Sequence, residues 1–397
     1  MKSGSPIIDP INFTTDHVDH VSKYTWDFPN DLDPSGIKDY KIIYISCMSY
    51  LMTHLGTKTT LLAATSEIEK FLQWIFHEKK KSPFILNESE ILAFLDFTKK
   101  PHPAWVSSSA KKKFIVSNGN RIPNPAWRPF REARSSQKNS NTLKKTFTFI
   151  SGYYKYCRRK KIIKSNPFDF ISKKSLFPKL LSSKNIAQKI LHAEDRELLE
   201  LTLDGLVKED SRYTRERFII IAMLNMYLRV SDLAEYRDVI PVMGDFYYRR
   251  TDNWWFVVYG KGNKQDDIAV NNKVIRALQD YRVHMGLSKL PYASEETPLI
   301  LMRGGKKAIR STRHIRDLIS VAINKTIENA VANEWDKTDI ERLKSFTAHW
   351  LRHTGISDGA IHRPIDHVRR DARHSSLATT SIYIESEDSE RHNSSNL

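Results

Sequence analysis

Side chains suited to phosphate-ester chemistry gather in four short segments, and their order carries more information than any one of them. Tyr227-Leu228-Arg229-Val230-Ser231-Asp232-Leu233 sets an arginine at the end of an apolar helical run, Ile219 to Leu228, with a polar turn behind it. Gly260-Lys261-Gly262-Asn263-Lys264 is a glycine-rich turn between two strand-like stretches. Thr347-Ala348-His349-Trp350-Leu351-Arg352-His353-Thr354 places His349 and Arg352 at i and i+3, on one face of a helix. His374-Ser375-Ser376-Leu377-Ala378-Thr379-Thr380-Ser381-Ile382-Tyr383 puts a tyrosine nine positions after a histidine.

Together these supply a phenol, two guanidiniums, two imidazoles and an amine on a hairpin tip. A phosphodiester attacked by a hydroxyl develops charge on its non-bridging oxygens. Arg229 and Arg352 can clamp those oxygens with planar, multi-donor groups that stay charged. That is electrostatic work a divalent metal does in other enzymes, so neither metal nor cofactor is expected. A phenol with a pKa of about 10 attacks poorly unless cations help it ionise. His349 can assist the Tyr383 proton, and Lys261 can protonate the departing 5′ oxygen, with Lys264 its nearest rival. Each residue alone has a plainer reading: a packing tyrosine, a satisfied histidine, a helix-terminal arginine, a turn lysine. His353, His362 and His367 are read as structural, because no cysteine or carboxylate set completes a zinc site with them.

The arrangement of Arg, a lysine on a β-turn, His-x-x-Arg, His and Tyr resembles the tyrosine recombinase, or phage integrase, family. The strings LRVSDL, GKGNK, HWLRHT and HSSLATTSIY are similar to that family's usual forms over roughly residues 195 to 385, and more loosely over 58 to 170. The resemblance implies that Arg229 and Arg352 hold a scissile DNA phosphate. It makes Lys261 a general acid, His349 an acid/base partner and His374 a further phosphate donor. Tyr383 would form a 3′-phosphotyrosyl link and release a 5′-hydroxyl, storing the bond energy for religation without a high-energy cofactor. The implied activity is site-specific DNA recombination or integration, by a homotetramer on two duplexes. Two alternatives use the same residues: a non-catalytic DNA-binding relative, which should have lost one of them, and a type IB topoisomerase-like relaxing enzyme. A metal-dependent transposase would need clustered carboxylates instead. Two positions depart from the family pattern, Tyr227 before Leu228-Arg229 and Arg373 before His374, both commonly glycine. Arg373 is expected to alter its turn, and to crowd the pocket or add a phosphate contact. Asp232 is expected to orient Arg229.

The elements that must position these residues divide the chain. Residues 1–56 mix Pro, Asp and aromatics without a strong period and read as a lead-in. From Lys58 to Phe97 the pattern is helical, with Ile68, Phe71, Leu72 and Ile75 at i, i+3, i+4 and i+7. Asn87 and Glu90 form a capping signature for a second helix there. A basic insertion at about 99–138, containing Lys111-Lys112-Lys113 and Trp127-Arg128-Pro129, reads as a long loop or irregular insertion whose cations could track DNA phosphates or simply be solvated. A helix resumes from Asn141, so 57–175 forms a helical, SAM-like core DNA-binding domain, followed by a linker at 176–189. The catalytic domain, 190–397, has helices at Asp195–Leu206 and Tyr213–Leu228. Strands follow at Asp245–Tyr248, Trp254–Tyr259 and Asp267–Val270. The expected fold is mainly α with a small antiparallel sheet in the catalytic domain, the two domains making a C-shaped DNA clamp.

Composition agrees with a polyanion partner. The 397 residues carry 63 Lys plus Arg against 46 Asp plus Glu, a net charge of +17, which favours double-stranded DNA. No run of about 18 apolar residues suggests a membrane span. The first residues lack the apolar core of a signal peptide. Cys47 and Cys157 make neither a disulfide framework nor a zinc site, and the expected location is the cytoplasm.

Overall fold

The computed structural model describes residues 4–9, 37–132, 140–172, 176–177, 189–235, 239–249, 253–260, 265–305 and 307–384. The chain divides into two compact units, Met1–Lys179 and Leu180–Leu397.

The first unit is built on four helices, Tyr40–Met52, Lys58–Gln73, Glu88–Lys99 and Ser140–Arg159. The apolar stripe Ile68, Phe71, Leu72 and Ile75 is fully buried, and Asn87 and Glu90 close the expected capping box. Two sequence expectations need correction. The segment taken as a lead-in supplies a core helix, Tyr40–Met52, with Ile43, Tyr44, Cys47, Met48 and Leu51 buried. Its apolar residues surround the helix rather than forming a stripe, so periodicity could not reveal it. The basic insertion is not simply a loop. It holds four short strands, Val106–Ser107, Phe114–Ser117, Asn120–Pro123 and Phe130–Arg131, and buries Trp105, Trp127 and Phe130. Glu69 explains the packing of both segments. Its carboxylate accepts from the Ile7 and Ile8 amides at 2.9 and 3.0 Å and pairs with Lys113 at 2.8 Å. Lys113 therefore satisfies a buried charge, while Lys111 and Lys112 remain exposed. Both cysteines are buried and free.

The second unit packs helices around one large core. Ala193–Glu209 lies against Thr312–Ala332, and Thr214–Asn225 is covered by Asn272–His284 and His349–His362. A three-stranded antiparallel sheet, Phe246–Arg249, Asn253–Tyr259 and Gln265–Val270, aligns Phe246 with Phe256 and Phe256 with Ile268. All three point into the core, which sets the register, since a one-residue slip would turn them outward. Lys261 and Lys264 at the tip lie outside the described residues. No helix among the described residues is long and apolar enough to cross a membrane.

A close approach brings the arginine-bearing segments together. Helix His349–His362 presents Gly355 and Gly359 to the end of Thr214–Asn225 and to Tyr227. A Cβ on Gly355 would lie 1.9 Å from the Leu224 carbonyl oxygen, and one on Gly359 would lie 2.1 Å from the Tyr227 hydroxyl. Gly355→Ala is expected to cost roughly 1–3 kcal/mol by overpacking. In calorimetry of the full chain only the second unit's transition should shift down. An unshifted transition would mean that the approach is not tight.

Candidate active site

The helix His349–His362 begins by burying Trp350 and Leu351 and directing the opposite residues to a cleft. Arg352 is its centre, 2% exposed. Its guanidinium donates to the main-chain carbonyls of Tyr227 and Ala372, so one side chain joins three segments. Burial, with the nearby Arg229 and Arg373 charges, lowers its pKa to about 9. At neutral pH it remains a cation. Arg229 follows two residues after Tyr227, and its pKa is likewise lowered by burial and by Arg373. The mutual repulsion of these guanidiniums is the signature of a site prepared for an anion.

Tyr383 lies near the end of helix Leu377–Ile384 and is 6% exposed. It packs with Tyr227, Ile356, Val368 and Ala372 in a small apolar cluster separate from the main core. Burial raises its pKa, against the opposing pull of Arg352 and Arg229. The ring of His374 stacks on it at 6.1 Å, and Nδ1 of His374 meets the Thr380 hydroxyl at 2.9 Å. That contact commits one nitrogen and leaves Nε2 for other work.

The histidine beside the phenol differs from expectation. His353 Nδ1 stands 2.6 Å from the Tyr383 hydroxyl, whereas His349 stacks edge-on against His353 at 4.3 Å. His353, read as structural from sequence, is thus the residue placed to receive the phenolic proton. Burial first, and His349 and Arg352 next, lower its pKa from 6.5 to about 4. With the phenol's pKa raised and the imidazole's lowered, the phenol keeps its proton and the ring is neutral. The clue was present in His349-x-x-Arg352-His353, since i and i+4 share a helix face. His349 itself is shifted down by partial desolvation, Arg352 and Arg229. An open cleft of about 640 Å³ reaches His349 and His353 past Lys189, Arg342 and Thr347.

Asp232 holds Arg229, as expected, through the main chain, and has a second partner. Its Oδ2 accepts the Arg229 amide at 2.7 Å, capping the turn Val230–Leu233, and takes the Arg373 guanidinium as ion-pair partner. It positions the Arg229 main chain rather than its side chain. Tyr227 and Arg373, the two departures from the glycine pattern, both adopt left-handed backbone, with φ of 53° each. Glycine is the ordinary choice there, and a side chain is strained. The Tyr227 hydroxyl accepts from Arg363 at 3.0 Å, and Arg363 pairs with Asp371 at 2.6 Å. Among the described residues no group of His, Cys, Asp and Glu is placed to hold a metal ion. Of the six expected site residues, Arg229, Arg352, His374 and Tyr383 converge directly, His349 joins through His353, and Lys261 is outside the described residues.

Between pH 6.5 and about 4 the unfolded chain binds a proton at His353 and the folded chain does not. Stability from the neutral ring is complete above 6.5 and is lost as pH falls toward 4. Relative to His353→Gln, the wild type should therefore lose thermal stability across that window. A difference in unfolding temperature that stays constant with pH would contradict the assignment.

No family model matches the chain. Tyrosine recombinase XerC of Caldanaerobacter subterraneus subsp. tengcongensis is 30% identical over 244 residues. The match covers 61% of this chain and 58% of that protein, under two thirds of the relative's own length. The XerH site-specific recombinase, solved bound to palindromic difH substrate in a post-cleavage complex, aligns with a TM-score of 0.57 at 15% identity. That alignment covers 92% of this chain and 91% of XerH. The Tn1549 transposon integrase, solved with transposon right end DNA, aligns at a TM-score of 0.52 and 14% identity, over 88% and 98% of the two chains. The chain therefore has the tyrosine recombinase fold and is related in sequence to a member of that family.

Proposed function

We propose that the chain is a site-specific DNA recombinase or integrase that cuts and rejoins strands through a covalent phosphotyrosine. The observation that carries this reading is the Tyr383 hydroxyl, 2.6 Å from a neutral imidazole and within the field of Arg229 and Arg352. In the proposed reaction the phenolic oxygen attacks phosphorus as its proton passes to His353 Nδ1. Arg229 and Arg352 neutralise the charge that builds on the non-bridging oxygens, and His374 Nε2 donates to the same group. The P–O5′ bond breaks, Lys261 protonates the departing oxygen, and the 3′-phosphoryl group remains on Tyr383. Attack by a 5′-hydroxyl reverses the steps and reseals a strand, so no metal or cofactor enters the scheme. His349 acts here through His353, as a neighbour that keeps it neutral.

The DNA partner is supported by the +17 charge and by relatives solved on recombination-site DNA. A homotetramer on two duplexes and a cytoplasmic location complete the proposal. Lys189 in the cleft and the exposed Lys111 and Lys112 are available to phosphates.

A nicked suicide duplex from the flanks of the gene, in EDTA, should yield a denaturation-resistant protein–DNA adduct. Tyr383→Phe should abolish the adduct while leaving DNA affinity within about twofold, since the phenol adds no phosphate charge pair. Binding without an adduct in the wild type would favour a non-catalytic DNA-binding protein. Relaxation of a supercoiled plasmid that lacks the site would favour a topoisomerase.

A further inference from the structure

We propose that Arg373 is a third arginine of the phosphate site, donating to the same scissile phosphate as Arg229 and Arg352. The inference rests on the recombinase reading in calling that phosphate scissile; the anion site itself does not depend on it.

Three consecutive residues form the turn that carries this argument. The Ala372 carbonyl holds Arg352, the Arg373 side chain reaches Asp232, and the His374 ring faces Tyr383. Arg373 enters the site from a left-handed backbone, φ 53°, that glycine would occupy without strain. What the side chain brings to this turn, beyond its buried stem, is a charge. That charge is 7% exposed and sits beside two other guanidiniums. Asp232 is its ion-pair partner, yet the same Asp232 oxygen already accepts the Arg229 amide. Arg373 Nε is buried without a hydrogen-bond partner among the described residues. A buried donor left unmatched is unfavourable unless a ligand completes it. A phosphate held by Arg229 and Arg352 supplies the missing acceptor and the negative charge that three cations and one carboxylate lack. A purely structural Arg373–Asp232 staple would explain the pair, but neither the unmatched Nε nor the surplus charge.

Two variants separate these roles. Arg373→Gly suits the backbone and removes the cation. Arg373→Lys keeps a cation for Asp232, and so the fold, but lacks Nε. Each is compared with the wild type in single-turnover cleavage of a suicide duplex carrying either a normal or a methylphosphonate linkage at the cut site. The second linkage lacks one charged oxygen. Both variants should form the Tyr383 adduct at least roughly tenfold more slowly on the normal linkage, the scale for losing one preorganised donor. The deficit should largely disappear on the methylphosphonate. Wild-type rates in both variants, or an equal deficit on the two linkages, would overturn the proposal and leave the recombinase reading standing.

Inorganic phosphate, titrated against the full chain by thermal shift, decides the matter without DNA. If the wild type forms no adduct, weaker phosphate binding by Arg373→Gly upholds the third arginine while the recombinase reading falls. Equal phosphate binding by variant and wild type overturns the third arginine.

Discussion

A buried guanidinium organises the second unit. Arg352 leaves water almost completely and replaces its hydration with two carbonyl oxygens, from Tyr227 and from Ala372. Removing a cation from water costs several kcal/mol even after relaxation, so those carbonyls must be where they are. Tyr227 precedes Arg229 by two residues, and Ala372 precedes His374 by two. Fixing the two carbonyls therefore fixes the entry points of two further site residues. The glycine face of the central helix makes the geometry possible, because Gly355 and Gly359 leave room for Leu224 and Tyr227.

The electrostatics of the pocket follow from that burial. Arg229, Arg352 and Arg373 repel one another, and Asp232 is the carboxylate set among them. Burial first, and the Arg352 charge beside both rings after it, hold His353 and His374 down to about 4. Neutral imidazoles are what phosphoryl chemistry at a tyrosine requires, since one of them must accept a proton. The burial that crowds the guanidiniums thus also keeps the imidazoles uncharged.

Much of this was legible in the sequence, for identifiable reasons. The sheet announced itself through alternating strands around short turns, and the order Arg, Lys, His-x-x-Arg, His, Tyr pointed to Arg229, Arg352, His374 and Tyr383. His353 was passed over because only a three-dimensional distance separates it from His349 as the partner of Tyr383. The left-handed turns at Tyr227 and Arg373 were visible only as departures from a glycine pattern, and the Asp232–Arg373 pair joins residues 141 positions apart in the chain. In the first unit, Tyr40–Met52 escaped notice because it is apolar all round, and the insertion's buried tryptophans lie outside its short strands, Trp105 ending a single 3-10 turn and Trp127 in irregular chain, where no period can show.

Tyr383 does not belong to the main core. It is anchored in a five-membered cluster with Tyr227, Ile356, Val368 and Ala372, while the large core of the unit closes without it. Cooperative units of few buried contacts open at lower free energy than the body they rest on. A strand joined to Tyr383 would thus pull first on this small cluster, whose detachment leaves the sheet and the long helices folded. Tyr383 is moored by a weak link, and load applied to its side chain would be released there before it reached the long helices and the sheet.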